Sequence, residues 1–254
     1  MSFSRILVIK LKQPGDVLVS TPVIRALKEA WPAAQVTCLV PRGTEDMVRG
    51  HPLLHNLLVA DRRGSWRKTL GLLAALRRGR FDLVLELSGG DRGAFYTLLT
   101  GARERLGFER PGLPSWQRWG VFTRLLPRPP VYSHLVEQNL AAVRALGVEP
   151  ENPRLEFFWD EQVAARVRRL LQELDLSPKK FVVLHPGAGW RFKCWTPEGY
   201  ARIIEYFQGE SGLPVVLTGT QARHEQELLR ETLAACRVRP KNLVGQLTLK
   251  DLGA

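Results

Sequence analysis

The chain has 254 residues, 44% hydrophobic and 24% charged, a soluble globular composition long enough for two α/β domains. Its formal charge of +12, from 37 Lys and Arg against 25 Asp and Glu, favours an anionic partner such as nucleic acid, phosphorylated lipid or the anionic face of a membrane. Cys38, Cys194 and Cys236 show no Cys-x-x-Cys spacing, which argues against a disulfide framework or zinc site and fits a reducing cytoplasm.

No apolar run reaches the length of a membrane span, and no signal-peptide core precedes the first strand. Membrane contact is therefore expected to be peripheral. Residues 5–10, Arg-Ile-Leu-Val-Ile-Lys, read as a buried first strand, which Pro14 and Gly15 then break. Val19, Val23, Leu27 and Ala30 follow at helical spacing. Asp16 thus lies in a strand-to-helix turn outside the carboxyl end of a strand, where open α/β sheets bind ligands. An acid there can do chemistry, or it can cap the helix.

Strands are expected over 35–40 and 56–60, then a helix over 65–78 capped by Ser65, with Leu70, Leu73, Ala74 and Arg77 on one stripe. Residues 81–87 form an almost wholly apolar strand ending in Ser88-Gly89-Gly90. A strand apolar on both faces implies a parallel sheet covered on both sides. Glu86 is out of place in that run and is expected to point into an interdomain cleft. A short strand over 103–108 precedes a loose stretch, 111–130, with five prolines, Trp116 and Trp119. Loops that long inside a compact domain are often functional. A helix follows over 134–147, with His134 at its start as a cap or an anion contact, and residues 149–153 read as a linker.

A second α/β series begins with a helix over 160–174 capped by Asp160. Strands over 181–184, 214–217 and 242–244 alternate with helices over 197–208 and 224–236, and Thr248 opens another helix. The first series has about five strands and the second three, so the second sheet is expected to be incomplete, with an unpaired edge. The expected domains are 1–152 and 153–254.

After the strand over 181–184 comes His185-Pro186-Gly187-Ala188-Gly189, with Lys193 just beyond and Thr196-Pro197 opening a helix. Glycines that let backbone N–H groups converge, a lysine and a helix start together suit a phosphate. A plain turn beside a solvated lysine is the other reading. The loop is no Walker A motif, and the first strand lacks Gly-x-Gly-x-x-Gly. Glu225, after Thr218-Gly219, can take ribose hydroxyls as acids do in dinucleotide folds, or stand solvated beside Arg223.

Taken in order, these segments resemble glycosyltransferase family 9, the lipopolysaccharide heptosyltransferases. The similarity runs through residues 6–10 into Gly15-Asp16-Val17-Leu18, Pro22 and Trp31-Pro32, then through residues 81–89 and Gly101-Ala102-Arg103 to Leu106-Gly107-Phe108. It continues through residues 134–147 to Lys193-x-Trp195-x-Pro197. The family more often carries Asp and Gln where this chain has Glu86 and Ser88. The resemblance implies an α/β fold of GT-B type: two Rossmann-like parallel-sheet domains facing a cleft, acceptor on the first and nucleotide-sugar on the second. It implies Asp16 as the base that deprotonates the acceptor, with Lys12, Gly15 and His134 on the acceptor side. Lys193 and the Gly187, Ala188, Gly189 turn would hold the diphosphate of ADP-heptose, and Glu225 its ribose. No metal or other cofactor is implied, and the acceptor would be an anionic glycolipid at the cytoplasmic face of the inner membrane. The family's Asp-Thr-Gly-x-x-His or Asp-Ser-Gly-x-x-His donor motif is expected after the next strand, beyond Ala254. Readings outside this one are transfer from another nucleotide-sugar and, from the charge alone, non-catalytic nucleic-acid binding. No recognised nucleic-acid motif supports the latter.

Overall fold

Among the described residues six parallel strands carry the first of two units, Met1–Phe158, and three carry the second, Trp159–Ala254. The computed structural model describes residues 2–62, 64–109, 112 and 120–254. The boundary falls after residue 158 rather than the expected 152 because the intervening segment is fastened to the first unit. Glu156 N–H donates to Thr21 Oγ1 at 3.1 Å, while its carboxylate pairs with Arg25 and lies 3.2 Å from His51 Nε2.

In the first unit, β1 (Arg5–Ile9), β2 (Gln35–Pro41), β3 (Asn56–Ala60), β4 (Leu83–Glu86), β5 (Glu104–Phe108) and β6 (Arg124–Leu126) lie in the order β3-β2-β1-β4-β5-β6. Residues 6–9 of β1 and 83–85 of β4 are all buried, as a sheet covered on both faces requires. The covering helices are α1 (Pro14–Leu18), α2 (Thr21–Ala30), α3 (Trp66–Arg78), α4 (Asp91–Thr100) and α5 (Leu135–Arg144). Sheet order reverses between β1 and β4, paired from Ile6↔Leu83 to Ile9↔Glu86. Their carboxyl ends therefore border the switch point at which α/β sheets take ligands.

Several details depart from expectation. Pro14 opens the five-residue α1 instead of ending structure, because a proline at the first helical position gives up an N–H that had no partner anyway. On α3 the buried stripe is Leu72, Leu73 and Leu76, and Leu70 is 53% exposed. An open groove of about 320 Å³ lies between this helix and β3, lined among others by Leu57, Val59, Leu72 and Tyr96. Trp116 and Trp119 lie outside the described residues.

In the second unit, β7 (Val182–Leu184), β8 (Val215–Leu217) and β9 (Lys241–Asn242) are parallel and adjacent in chain order. They pack with α6 (Glu161–Glu173), α7 (Pro197–Glu205), α8 (Arg223–Ala235) and α9 (Leu249–Gly253). Three caps expected from sequence form: Asp160 accepts from Val163 N, Thr196 from Gly199 N and Thr248 from Asp251 N. Its core gathers Ile204, Val215, Leu217, Leu229 and Val244. Among the described residues no helix is long and apolar enough to cross a membrane.

Candidate active site

At the β1–β4 switch point the chain places a buried lysine. Lys10, 3% exposed, donates from Nζ to Leu87 O at 3.0 Å and to Asn139 Oδ1 at 2.8 Å. Asn139, on α5, donates in turn from Nδ2 to Val19 O at 3.0 Å, at the end of α1. Leu11 N–H donates to Ser88 Oγ at 2.7 Å, closing the gap between the strand ends. The ends of β1 and β4, the α1 turn and α5 are thus tied through two side chains. Burial pulls the Lys10 ammonium down to about 8, against the attraction of Asp16 and Glu86. It is still protonated at neutral pH.

Asp16 sits in the first turn of α1, half-buried, and its carboxylate makes no hydrogen bond among the described residues. The N-cap is Gln13, and no side chain caps the helix. The hydrogen-bonded capping role left open from sequence is therefore not the one Asp16 plays. Its carboxylate has free lone pairs beside a buried cation, as a proton acceptor needs. Lys12 and Gly15 are exposed on the same turn, and nothing stands within 4 Å of the position a Gly15 Cβ would take. His134 is an exposed cap for α5, its Nδ1 accepting from Val136 N at 3.3 Å.

Glu86 does not point into an open cleft. It is 1% exposed and accepts from Ser88 N and Gly89 N, both at 2.9 Å. Its carboxylate pins the β4–α4 turn, and Gly93 must be glycine because a Cβ there would stand 2.2 Å from Glu86 Oε1. Burial raises the Glu86 carboxyl pKa, opposed by the turn's N–H groups, the Ser88 side chain and Lys10.

In the second unit the predicted donor residues gather at the carboxyl ends of β7 and β8. Glu225, 8% exposed in the first turn of α8, accepts at Oε2 from Thr220 N at 2.7 Å and Thr220 Oγ1 at 2.8 Å. A Cβ on Gly187 would meet Glu225 Cδ at 2.5 Å, so the glycine lets helix and turn close together. His224 Nε2 donates to Ala188 O at 2.8 Å, fixing the same turn from the same helix. His185 Nδ1 lies 3.0 Å from Thr218 Oγ1. Gly189 and Lys193 are exposed, the lysine ending a short turn, Arg191–Lys193, before Thr196 caps α7. The Lys193 side chain makes no hydrogen bond or ion pair among the described residues. Gly187, Ala188 and Glu225 thus form one interlocked turn with Gly189 at its open end, and Lys193 follows in the chain. Among the described residues no three His, Cys, Asp or Glu side chains are grouped to hold a metal ion.

A family model described as glycosyltransferase family 9 (heptosyltransferase) matches residues 69–254. The chain belongs to glycosyltransferase family 9. Over 254 aligned residues it is 27% identical to lipopolysaccharide heptosyltransferase 3 of Escherichia coli K12, covering 96% of this chain and 72% of that protein. The family 9 glycosyltransferase structure from Veillonella parvula superimposes with a TM-score of 0.86 at 21% identity, covering 99% of this chain and 72% of that one. The E. coli ADP-heptose lipopolysaccharide heptosyltransferase II gives 0.72 at 22% identity, covering 98% and 75%. The fold is accordingly the α/β, parallel-sheet GT-B type of the family 9 heptosyltransferases, and the chain is a glycosyltransferase.

Lys10 and Asn139 were not singled out from sequence as site residues. A lysine directly after four apolar strand residues was the available signal for the first. The second, a lone polar residue on the apolar face of α5, carried little.

Proposed function

We propose that this family 9 enzyme moves a heptose, with inversion, from ADP-heptose to a hydroxyl of a lipopolysaccharide core or lipid A-type acceptor. The observation that carries the reading is the unpartnered Asp16 carboxylate at the switch point of the first sheet. An inverting transfer needs one base for the acceptor hydroxyl and positive charge for the departing diphosphate. Asp16 accepts the hydroxyl proton as the acceptor oxygen attacks the anomeric carbon, and the bond from that carbon to ADP breaks. Lys193 and the N–H groups of the 187–189 turn neutralise the charge that appears on the diphosphate. Glu225 has Oε1 without a hydrogen-bond partner among the described residues, which suits a ribose hydroxyl.

Supporting the choice of sugar and acceptor are the names of the relatives, which are lipopolysaccharide heptosyltransferases. The +12 charge suits a phosphorylated, carboxylated glycolipid presented at the cytoplasmic face of the inner membrane. The test is release of ADP from ADP-heptose that depends on a deacylated core acceptor. Release with another nucleotide-sugar and none with ADP-heptose would move the reading to that donor. Activity is also expected to survive EDTA, because a lysine and backbone N–H groups carry the leaving-group charge. Loss on chelation that magnesium or manganese restores would place a metal in that role instead.

A further inference from the structure

We infer that the N-terminal half of α3 is a docking surface for an anionic lipid bilayer. The inference rests on the reading that the acceptor is a membrane glycolipid, and it names the surface that brings the enzyme to it. Trp66 is 68% and Leu70 53% exposed, one helical turn apart on one face. The Arg67 guanidinium lies over the Trp66 ring, 5.4 Å from its centroid, and Arg62 is exposed just before the helix. Between residues 62 and 80 the sequence carries Arg62, Arg63, Arg67, Lys68, Arg77, Arg78 and Arg80, with no Asp or Glu. Arg77 is committed to Leu99 O at 3.3 Å.

An apolar pair this exposed, in the stripe where the helical period expects core, is not explained by folding. The groove of about 320 Å³ beside β3 is lined on α3 by Lys68, Thr69, Gly71, Leu72 and Ala75 and by neither Trp66 nor Leu70, which stay exposed away from it. The chemistry of the patch selects among occupants. Nucleic acid takes the cations, but the Trp66 ring already carries Arg67 and a phosphate backbone gives Leu70 no apolar partner. A second copy related by a twofold axis would set this acid-free cationic segment against itself. An anionic bilayer accommodates both parts, with the indole at headgroup level, Leu70 reaching the acyl boundary and Arg62 and Arg67 at lipid phosphates.

The test is co-sedimentation of the protein with phosphatidylcholine vesicles holding roughly one third phosphatidylglycerol, against pure phosphatidylcholine. Binding is expected to the anionic vesicles alone, weakening as salt is raised. The double substitution Trp66→Ser with Leu70→Ser is expected to lower partitioning by at least about tenfold. Both side chains are exposed, so its melting temperature should stay at the wild-type value. If it does not, Arg62→Glu with Arg67→Glu is read instead and should lose binding to a similar degree. Equal binding by the variants, equal binding to neutral vesicles, no binding at all, or a dimer that the serine variant dissolves would each overturn the docking surface. The functional reading is scored separately by transfer to a deacylated acceptor in solution, which needs no vesicle. Failure there with vesicle binding intact counts against the reading and not the surface, and the converse result counts against the surface alone.

Discussion

Asp16→Asn should lower turnover by about two to four decades, the usual worth of a general base. The carboxamide keeps the shape of the side chain and loses its capacity to take a proton. The carboxylate makes no hydrogen bond among the described residues, but its charge attracts the buried Lys10 ammonium and the first turn of α1. The variant should therefore lose a modest amount of stability, on the order of 1 kcal/mol, far too little to account for the loss of turnover. The donor KM should barely move, because the diphosphate and ribose are assigned to residues of the second unit. Steady-state kinetics with both substrates varied separate these effects. Near-normal turnover would leave Asp16 with no chemical role, and a raised donor KM would assign it to the other substrate.

Asn139→Leu should cost about 3 kcal/mol of stability, from two losses that add. The Lys10 ammonium gives up Asn139 Oδ1 and keeps Leu87 O, and a hydrogen bond to a charged group contributes roughly 1.5–3 kcal/mol. The Val19 carbonyl gives up the amide that satisfies it, and an unsatisfied buried acceptor costs about 1 kcal/mol or more. For a unit of this size that is a fall of roughly 6–12 °C in melting temperature. The deficit should depend on pH in a definite direction. Burial holds the Lys10 pKa at about 8 in the folded chain, against its ordinary value of 10.5. Between those values the unfolded chain binds more protons than the native one, so native stability rises with pH across that window. Once the amine is neutral the variant no longer strands a charge, so its deficit should shrink between neutrality and the top of that window. Thermal melts of both proteins across the range measure it, and a deficit independent of pH would mean that Asn139 acts only through Val19.

The central strands β1, β2, β4 and β8 were readable in the sequence because buried parallel strands are continuous apolar runs, as residues 6–9 and 83–85 show. What escaped has local causes. The residues of α4 include Gly93, Phe95, Tyr96, Thr97 and Thr100, all weak helix formers. Packing decides there, since Gly93 is dictated by Glu86 rather than by the helix. The strand β6 is three residues long, too short to show a period beside the prolines around it. Asp16 and the Gly187 turn were visible because a glycine-bearing turn directly after an apolar strand is a local pattern. The Lys10–Asn139 pair was not, because its members are 129 positions apart and only the fold joins them. For Glu86 the oddity was visible and its meaning was not. A charge in an apolar strand is explained by two N–H groups that become available only when the next turn is built.

That buried glutamate also constrains the routes by which the sequence can drift. With Glu at position 86, any side chain at position 93 collides with the carboxylate, so substitutions at 93 are closed. Shortening the acid to aspartate would withdraw its oxygens from the Ser88 and Gly89 N–H groups that it satisfies, and its carboxyl carbon would take the place of Glu86 Cγ, 3.0 Å from a Cβ at position 93. Neither position therefore changes freely while the other stays, and the two are expected to drift together or not at all.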